Sequence, residues 1–127
     1  MAAQLGLRVV QRRYVDFGHA HYAGSLVDGA FGLALFGDVA TELCIVGDGD
    51  EGLFASYSAV EFRAPVRAGD VLEAAGEIVR VGSRSREIYF TLHVVARGAG
   101  TRERPGAAAL LRPPLLATEA RGTVVVP

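Results

Sequence analysis

The chain has 127 residues, half of them hydrophobic, and a formal net charge of −1 at pH 7. This length suits one compact domain with a real hydrophobic core, predicted to span residues 1–127, and the near-zero net charge argues against nucleic-acid binding. All 13 basic residues are arginine, so the chain lacks the lysine that a P-loop or a pyridoxal phosphate Schiff base requires.

Two further features bear on where the protein works. Cys44 is the single cysteine, so no internal disulfide can form, which suits a reducing cytoplasm. No apolar run reaches the roughly 18 residues of a membrane-spanning helix, and the amino terminus lacks a signal-peptide pattern. We therefore expect a cytoplasmic protein that makes no use of a membrane.

The predicted elements begin with a strand over residues 5–14, followed by a polar loop over residues 15–23. From Gly24 to Val46 the composition becomes apolar and helical, and GDGDEG at residues 47–52 ends the helix. This helix is apolar on nearly all sides, which is typical of a buried helix. One small sheet cannot cover it entirely, so we expect a homo-oligomer, a dimer at least.

Three strand candidates follow over residues 53–66, 70–81 and 86–97, joined by short turns. Residues 98–115 are rich in Gly, Ala, Arg and Pro and are predicted to form a loop, and residues 116–126 a last strand. The order is one strand, one long helix and four strands. It predicts an α+β protein of the hotdog fold, in which an antiparallel sheet wraps around one central helix.

Several segments resemble a known family. VEFRAPVRAGDVLEAAGEIVRVGSRS resembles the strand pair of hotdog acyl-CoA enzymes, and AHYAGSLVDGA, LFGDVATEL and DGDEGLF resemble the hotdog-fold 3-aminobutyryl-CoA and β-alanyl-CoA ammonia-lyases. The likeness extends over about residues 5–97. It implies reversible loss of ammonia from a 3-aminoacyl-CoA to give a 2-enoyl-CoA, with no metal or prosthetic group. It also implies a homohexamer built from three dimers.

Such a reaction needs a base for the α-proton, an acid for the amine and stabilisation of the thioester enolate. Backbone N–H groups at a helix start near Ala23 and Gly24 are predicted to bind the thioester oxygen. The resemblance implies that Asp28, about 6 Å further along the helix axis, is a catalytic carboxylate. The alternatives are a simple turn at Ala23 and Gly24, and for Asp28 a helix-terminus charge that stabilises by roughly 0.3–1 kcal/mol.

Two more residues are candidates for the chemistry. Glu42 is the second carboxylate of the family-like motif, but roughly 21 Å of helix separates it from Asp28. It can act only if a partner subunit presents it, and the alternative is a helix-end ion pair or a subunit contact. Tyr22 is predicted to hydrogen-bond the substrate amine or thioester, and the alternative is an aromatic residue that closes the loop.

Basic and imidazole side chains supply the candidates for coenzyme A. Arg84 and Arg86 stand where hotdog enzymes often hold the nucleotide, and guanidinium groups suit phosphate, although a solvated turn is the alternative. His21 is predicted to line the pocket. His19 and His21 have no third ligand nearby in the sequence, so no metal site is predicted.

The fold alone does not choose the reaction, because one scaffold hosts many chemistries. Two alternatives to the ammonia-lyase stay open, an acyl-CoA thioesterase and a non-catalytic acyl-CoA binding subunit. Many hotdog thioesterases place their carboxylate one turn later, near the position of Phe31. The carboxylate at Asp28 therefore favours the lyase.

Overall fold

The computed structural model describes residues 4–127, and residues 1–3 of the predicted domain lie outside the described residues. In chain order the elements are β1 (Arg8–Tyr14), β2 (Ala20–Tyr22), β3 (Leu26–Val27), α1 (Gly29–Asp48), β4 (Leu53–Phe62), β5 (Val66–Arg67), β6 (Val71–Val81), β7 (Ser85–Gly98) and β8 (Ala108–Val125). Over these residues the strands form two antiparallel sheets, one in the order β1-β6-β7-β8-β4 and a smaller one in the order β2-β3-β5.

The core lies between α1 and the large sheet. Phe36 of α1 stacks on Phe90 of β7, with the ring centroids 4.9 Å apart. A Cβ on Gly76 of β6 would lie 2.8 Å from a methyl group of Val39, so the strand backbone passes directly against the helix. Leu43 is fully buried one turn further along α1. One helix packed in this way on an antiparallel sheet confirms the predicted hotdog fold.

The helix begins later than predicted. Ala23–Ser25 form a short 3-10 turn, not the first turn of α1, and Gly24 and Ser25 have φ angles of 74° and 62°. This left-handed backbone cannot continue into an α-helix, so the chain first forms β3 and enters α1 only at Gly29. The helix also runs two residues past the predicted end, to Asp48.

The predicted loop over residues 98–115 is wrong in its second half. β7 ends at Gly98 and β8 begins at Ala108, so the connection covers residues 99–107. Glycine and proline suggested a longer loop, but Pro113 and Pro114 are accommodated where the pairing with β7 is irregular, between the paired residues Leu110 and Leu115. A bulge needs no ladder hydrogen bond from proline.

The predicted strand over residues 53–66 divides into two. β4 belongs to the large sheet, whereas β5 leaves it and pairs with β3 in the small sheet. Pro65 lies between them and has no N–H to donate. β1, β6 and β7 agree with the predicted strands to within a few residues.

By length and composition alone α1 could cross a membrane, against the expectation that no apolar run is long enough. Packing explains its composition, because Leu35, Phe36, Val39 and Leu43 are buried in the core. These are the properties of a core helix.

Candidate active site

An open cleft of about 630 Å³ lies at the N-terminal end of α1. One wall consists of Tyr22 and residues 27–32, and the other of residues 62–66 together with Thr118. Two of the predicted catalytic residues, Asp28 and Tyr22, lie in this cleft. The structure therefore brings them together, although they belong to different elements.

Asp28 is the N-cap residue of α1, not a residue one turn inside it. Its backbone is extended, with φ −71° and ψ 157°, and its carbonyl accepts a hydrogen bond from the Phe31 N–H at 3.3 Å. N-cap carboxylates usually accept hydrogen bonds from the first helical amides, but within the described residues the Asp28 side chain makes no capping hydrogen bond. Asp28 is half-buried and lines the cleft, and its carboxylate is not used in capping the helix.

Ala23 and Gly24, the predicted thioester-binding residues, do not lie at the helix start as expected. Both are exposed, precede the helix start and do not line the cleft. The first residues of α1, Gly29 and Ala30, do line it, and the N–H groups of a first helical turn have no intrahelical acceptor. Together with the positive end of the helix dipole they can hold an oxygen that carries negative charge.

Phe62 covers the helix start from the opposite wall. A Cβ on Gly29 would lie 2.5 Å from Cε1 of Phe62, so the aromatic ring rests on the bare glycine backbone. Phe62 is 60% exposed and lines the cleft. The close approach of the ring requires glycine at position 29, and Phe62 limits the free space above the start of α1.

Arg63 and Thr118 also line the cleft and were not predicted. The Arg63 guanidinium donates a hydrogen bond to Glu119 at 2.7 Å, and the Tyr89 hydroxyl donates to the same carboxylate at 2.9 Å. These hydrogen bonds lower the pKa of Glu119, and the one from Arg63 has the larger effect. Phe62 and Arg63 lie in VEFRAPV, which drew attention only for its fold, whereas Thr118 carries no local sequence signal.

Glu42, His21 and Arg84 also lie outside the lining of the cleft. Glu42 is exposed on α1 and accepts a hydrogen bond from Gln11 at 2.7 Å, so it cannot meet Asp28 within one chain, as expected. His21 is exposed and packs edge-on against the Tyr22 ring, 4.7 Å between centroids, beside the cleft and not in its lining, and stays a predicted substrate contact. Arg84 is exposed in the turn before β7 and stays a predicted nucleotide ligand.

Arg86 is not available as a phosphate ligand, against the prediction. It is buried and forms a paired contact with Asp48 at the end of α1, Nη2 to Oδ1 at 2.7 Å and Nε to Oδ2 at 3.1 Å. Its Nη1 donates to the carbonyls of Gly82 and Ser85. Most of its donors are used inside the protein, so its role is structural.

Among residues 4–127 no three His, Cys, Asp or Glu side chains lie close enough together to hold a metal ion. His19 instead packs on Phe31, with ring centroids 4.6 Å apart, and lies 3.9 Å from the Asp16 carboxylate.

Known proteins resemble this chain in sequence and in fold. Residues 17–98 match the thioesterase superfamily. The chain is 51% identical over 110 residues, 85% of each chain, to the 3-aminobutyryl-CoA ammonia lyase of Acetoanaerobium sticklandii. It superposes on the β-alanyl-CoA:ammonia lyase of Clostridium propionicum with a TM-score of 0.90 and 37% identity, over 96% of this chain and 86% of that one.

More distant structures share the fold alone. A hexameric hotdog-fold thioesterase of Campylobacter jejuni superposes with a TM-score of 0.73 at 16% identity, over 91% of this chain and 79% of that chain. The far higher identity to the two lyases separates this chain from such thioesterases. It belongs to the hotdog thioesterase superfamily and, within it, to the family of 3-aminobutyryl-CoA and β-alanyl-CoA ammonia lyases.

Proposed function

We propose that this protein is a 3-aminoacyl-CoA ammonia-lyase, which reversibly eliminates ammonia from a short 3-aminoacyl-CoA to give the 2-enoyl-CoA. The observation that carries the proposal is the 51% identity, over 85% of each chain, to a relative named for this reaction. The position of the Asp28 carboxylate in the cleft at the helix start agrees with the chemistry.

In the elimination, the Asp28 carboxylate takes the α-proton, and the electron pair of the broken C–H bond is delocalised onto the thioester oxygen. The amides of Gly29 and Ala30 stabilise the negative charge that develops there, because they are fixed in place before the reaction. Collapse of the enolate forms the C=C bond and breaks the C–N bond of the protonated amine, so that neutral ammonia leaves. The α-proton held by Asp28 then passes to the ammonia or to water, which restores the carboxylate. Tyr22, in the same cleft, is positioned to hydrogen-bond the amine or the thioester.

We further propose that two chains form the working unit. β4 is the edge strand of the large sheet, and its outer edge has no partner strand in the described part of the chain. Leu53 and Phe62, at its two ends, are 72% and 60% exposed, and Ile45 and Val46 of α1 are exposed as well. A second copy that pairs with β4 covers an open edge, and closed two-fold symmetry is the commonest solution. Glu42 is proposed to act across such an interface.

The substrate is the acyl-CoA, and Arg84 is proposed to contact its phosphates because an exposed guanidinium suits a phosphate. No metal or prosthetic group is proposed, and activity is therefore expected to persist after exhaustive chelation. The single cysteine supports a cytoplasmic location.

The test is an assay with crotonyl-CoA and ammonium. Two signals are recorded, the loss of the enoyl absorbance and the appearance of free thiol. Loss of the enoyl signal that depends on ammonium, without thiol release, supports the lyase. Release of coenzyme A thiol would instead identify a thioesterase. A protein that binds crotonyl-CoA but gives neither signal would be the non-catalytic binding subunit.

A further inference from the structure

An ion pair between a buried carboxylate and a partly buried arginine lies behind the cleft wall that faces Asp28. Asp70, just before β6, is completely buried, and it accepts hydrogen bonds from Nε and Nη2 of Arg97 on β7, each at 2.9 Å. Its carboxylate also accepts a hydrogen bond from the backbone N–H of Arg67 at 2.8 Å. Neither Asp70 nor Arg97 lines the cleft.

The pair forms hydrogen bonds at both ends of the short strand β5. Asp70 binds the N–H of Arg67, within β5, and Arg97 Nη2 donates to the carbonyl of Pro65, just before β5, at 3.0 Å. β5 has only two residues, and so short a strand has little stability of its own. Its position therefore depends on hydrogen bonds with neighbouring residues, and the Asp70–Arg97 pair supplies two of them.

β5 in turn holds the segment that leads into Asp28. Leu26 pairs with Arg67 and Val27 with Val66, and the N–H of Ala68 donates to the carbonyl of Ser25 at 2.9 Å. β3 ends at Val27, so the next residue, the helix N-cap, takes its position from this pairing. The chain of contacts runs from the ion pair through β5 and β3 to the carboxylate in the cleft.

We propose that Asp70 and Arg97 are positioning residues for the reaction, which set the place of Asp28 relative to the opposite cleft wall. This inference rests on the proposed function, in which Asp28 is the base. Stability alone is a poor reason for a buried ion pair, because desolvation offsets much of the attraction between the charges. A bidentate arginine–carboxylate contact also fixes the relative orientation of the two side chains, which an apolar contact does not.

The experiment compares three variants, each assayed as the intact oligomer with crotonyl-CoA and ammonium. Asp70→Asn removes the negative charge and leaves Arg97 unpaired. Arg97→Lys keeps the positive charge but loses the fork that reaches Asp70 and Pro65 together. Asp48→Asn is the matched control, because Asp48 forms the other buried pair, with Arg86, at the far end of α1.

Asp70→Asn and Arg97→Lys are expected to lower kcat by roughly 10- to 100-fold, since a misplacement of about 1 Å in a reacting group costs up to about 100-fold. The KM for crotonyl-CoA should change much less, because the proposal concerns a reacting group and not the nucleotide. Asp48→Asn should lose stability but keep kcat. A purely structural role for Asp70 and Arg97 would make all three variants alike.

Wild-type kcat in folded Asp70→Asn and Arg97→Lys would overturn the proposal, and so would an equal loss of kcat in Asp48→Asn. If Asp70→Asn does not fold, Arg97→Lys decides, measured below its own unfolding temperature. Failure of both to fold would show a pair that serves global stability, which also overturns it. An Asp28→Asn variant assayed in parallel separates the two proposals, because wild-type activity in that variant would contradict the role of Asp28 itself.

Discussion

At the scale of single residues, the resemblance in AHYAGSLVDGA led to Asp28 and Tyr22, and the structure places both in one cleft. The same reasoning was wrong for Arg86, because a charge pattern does not show which arginine has a buried partner 38 residues away. Thr118 was missed since it reaches the cleft only through the register of β8 beside β4. Long-range pairing of this kind leaves no trace in local spacing.

Asp28→Asn is the first prediction at this scale. The substitution nearly preserves shape and still suits a helix N-cap, so stability should change by less than about 1 kcal/mol. Turnover with crotonyl-CoA and ammonium should fall by roughly 10²- to 10⁴-fold, because a general acid–base group is lost. Both quantities are measured on the same protein, by denaturant unfolding and by steady-state kinetics.

Asp38→Asn is the matched control for that variant. Asp38 is an exposed residue of α1 that pairs with Arg13 at 3.4 Å and lies outside the cleft, so its substitution should leave turnover unchanged. A folded Asp28→Asn enzyme with wild-type ammonia addition would leave Asp28 as a helix-terminus charge.

Phe62→Ala is the second prediction, and it concerns which acyl chains fit. The ring lies on Gly29, so its removal deepens the cleft just where the helix begins. We expect kcat/KM for a 2-enoyl-CoA longer than crotonyl-CoA to rise by about tenfold relative to that for crotonyl-CoA, the range of one or two methylene groups in an apolar pocket. Competition kinetics between the two substrates measures the ratio.

Leu110→Ala removes a comparably exposed apolar side chain outside the cleft and serves as the control for that variant. An unchanged substrate ratio in Phe62→Ala, with the protein folded, would mean that the acyl chain lies elsewhere.

At the scale of elements, the helix and the central strands follow from their apolar patterns, whereas their ends do not. The sequence predicts the start of the helix at Gly24 because the composition becomes apolar and helical from there. What separates that segment from the helix is the left-handed backbone of Gly24 and Ser25, a conformation that composition does not reveal. Because of this shift, the amides at the helix start are those of Gly29 and Ala30, which are proposed to bind the thioester oxygen in place of Ala23 and Gly24.

The other end of α1 gives a prediction about pH. The hydrogen bond from Arg86 lowers the pKa of Asp48 below its ordinary value of 3.8, and a hydrogen bond from Gln4 acts in the same direction. A lowered pKa means that the carboxylate stabilises the folded chain above its unfolded-state pKa. That stabilisation is lost as the pH falls through the folded-state pKa.

Asp48→Asn should therefore cost about 1–3 kcal/mol at neutral pH, the cost of a buried partner left unsatisfied. The difference between the variant and the wild type should shrink as the pH falls below 3.8. Urea unfolding at a series of pH values measures it. A difference that stayed constant down to the acid limit would show that the Asp48 charge contributes nothing.

At the scale of the whole molecule, the order of elements was sufficient to identify the hotdog fold, because one apolar helix among antiparallel strands leaves few other arrangements. The small sheet was not predicted. Its strands have two or three residues each, and β3 pairs with β5, which is distant in the sequence, Leu26 with Arg67. This small sheet contains β3, which leads directly into Asp28. The part of the fold that the sequence did not predict is therefore the part that positions the candidate catalytic residue.

Assembly is the last prediction. A monomer leaves the β4 edge open and the apolar side chains of Leu53, Phe62, Ile45 and Val46 in water. Burying them against a second copy removes apolar surface from water at about 25 cal/mol per Å², so a dimer at least should persist at micromolar concentration. Light scattering coupled to size exclusion measures the mass, with a hexamer expected from the family likeness. A monomer with full ammonia-addition activity would contradict both the assembly and a role for Glu42 across an interface.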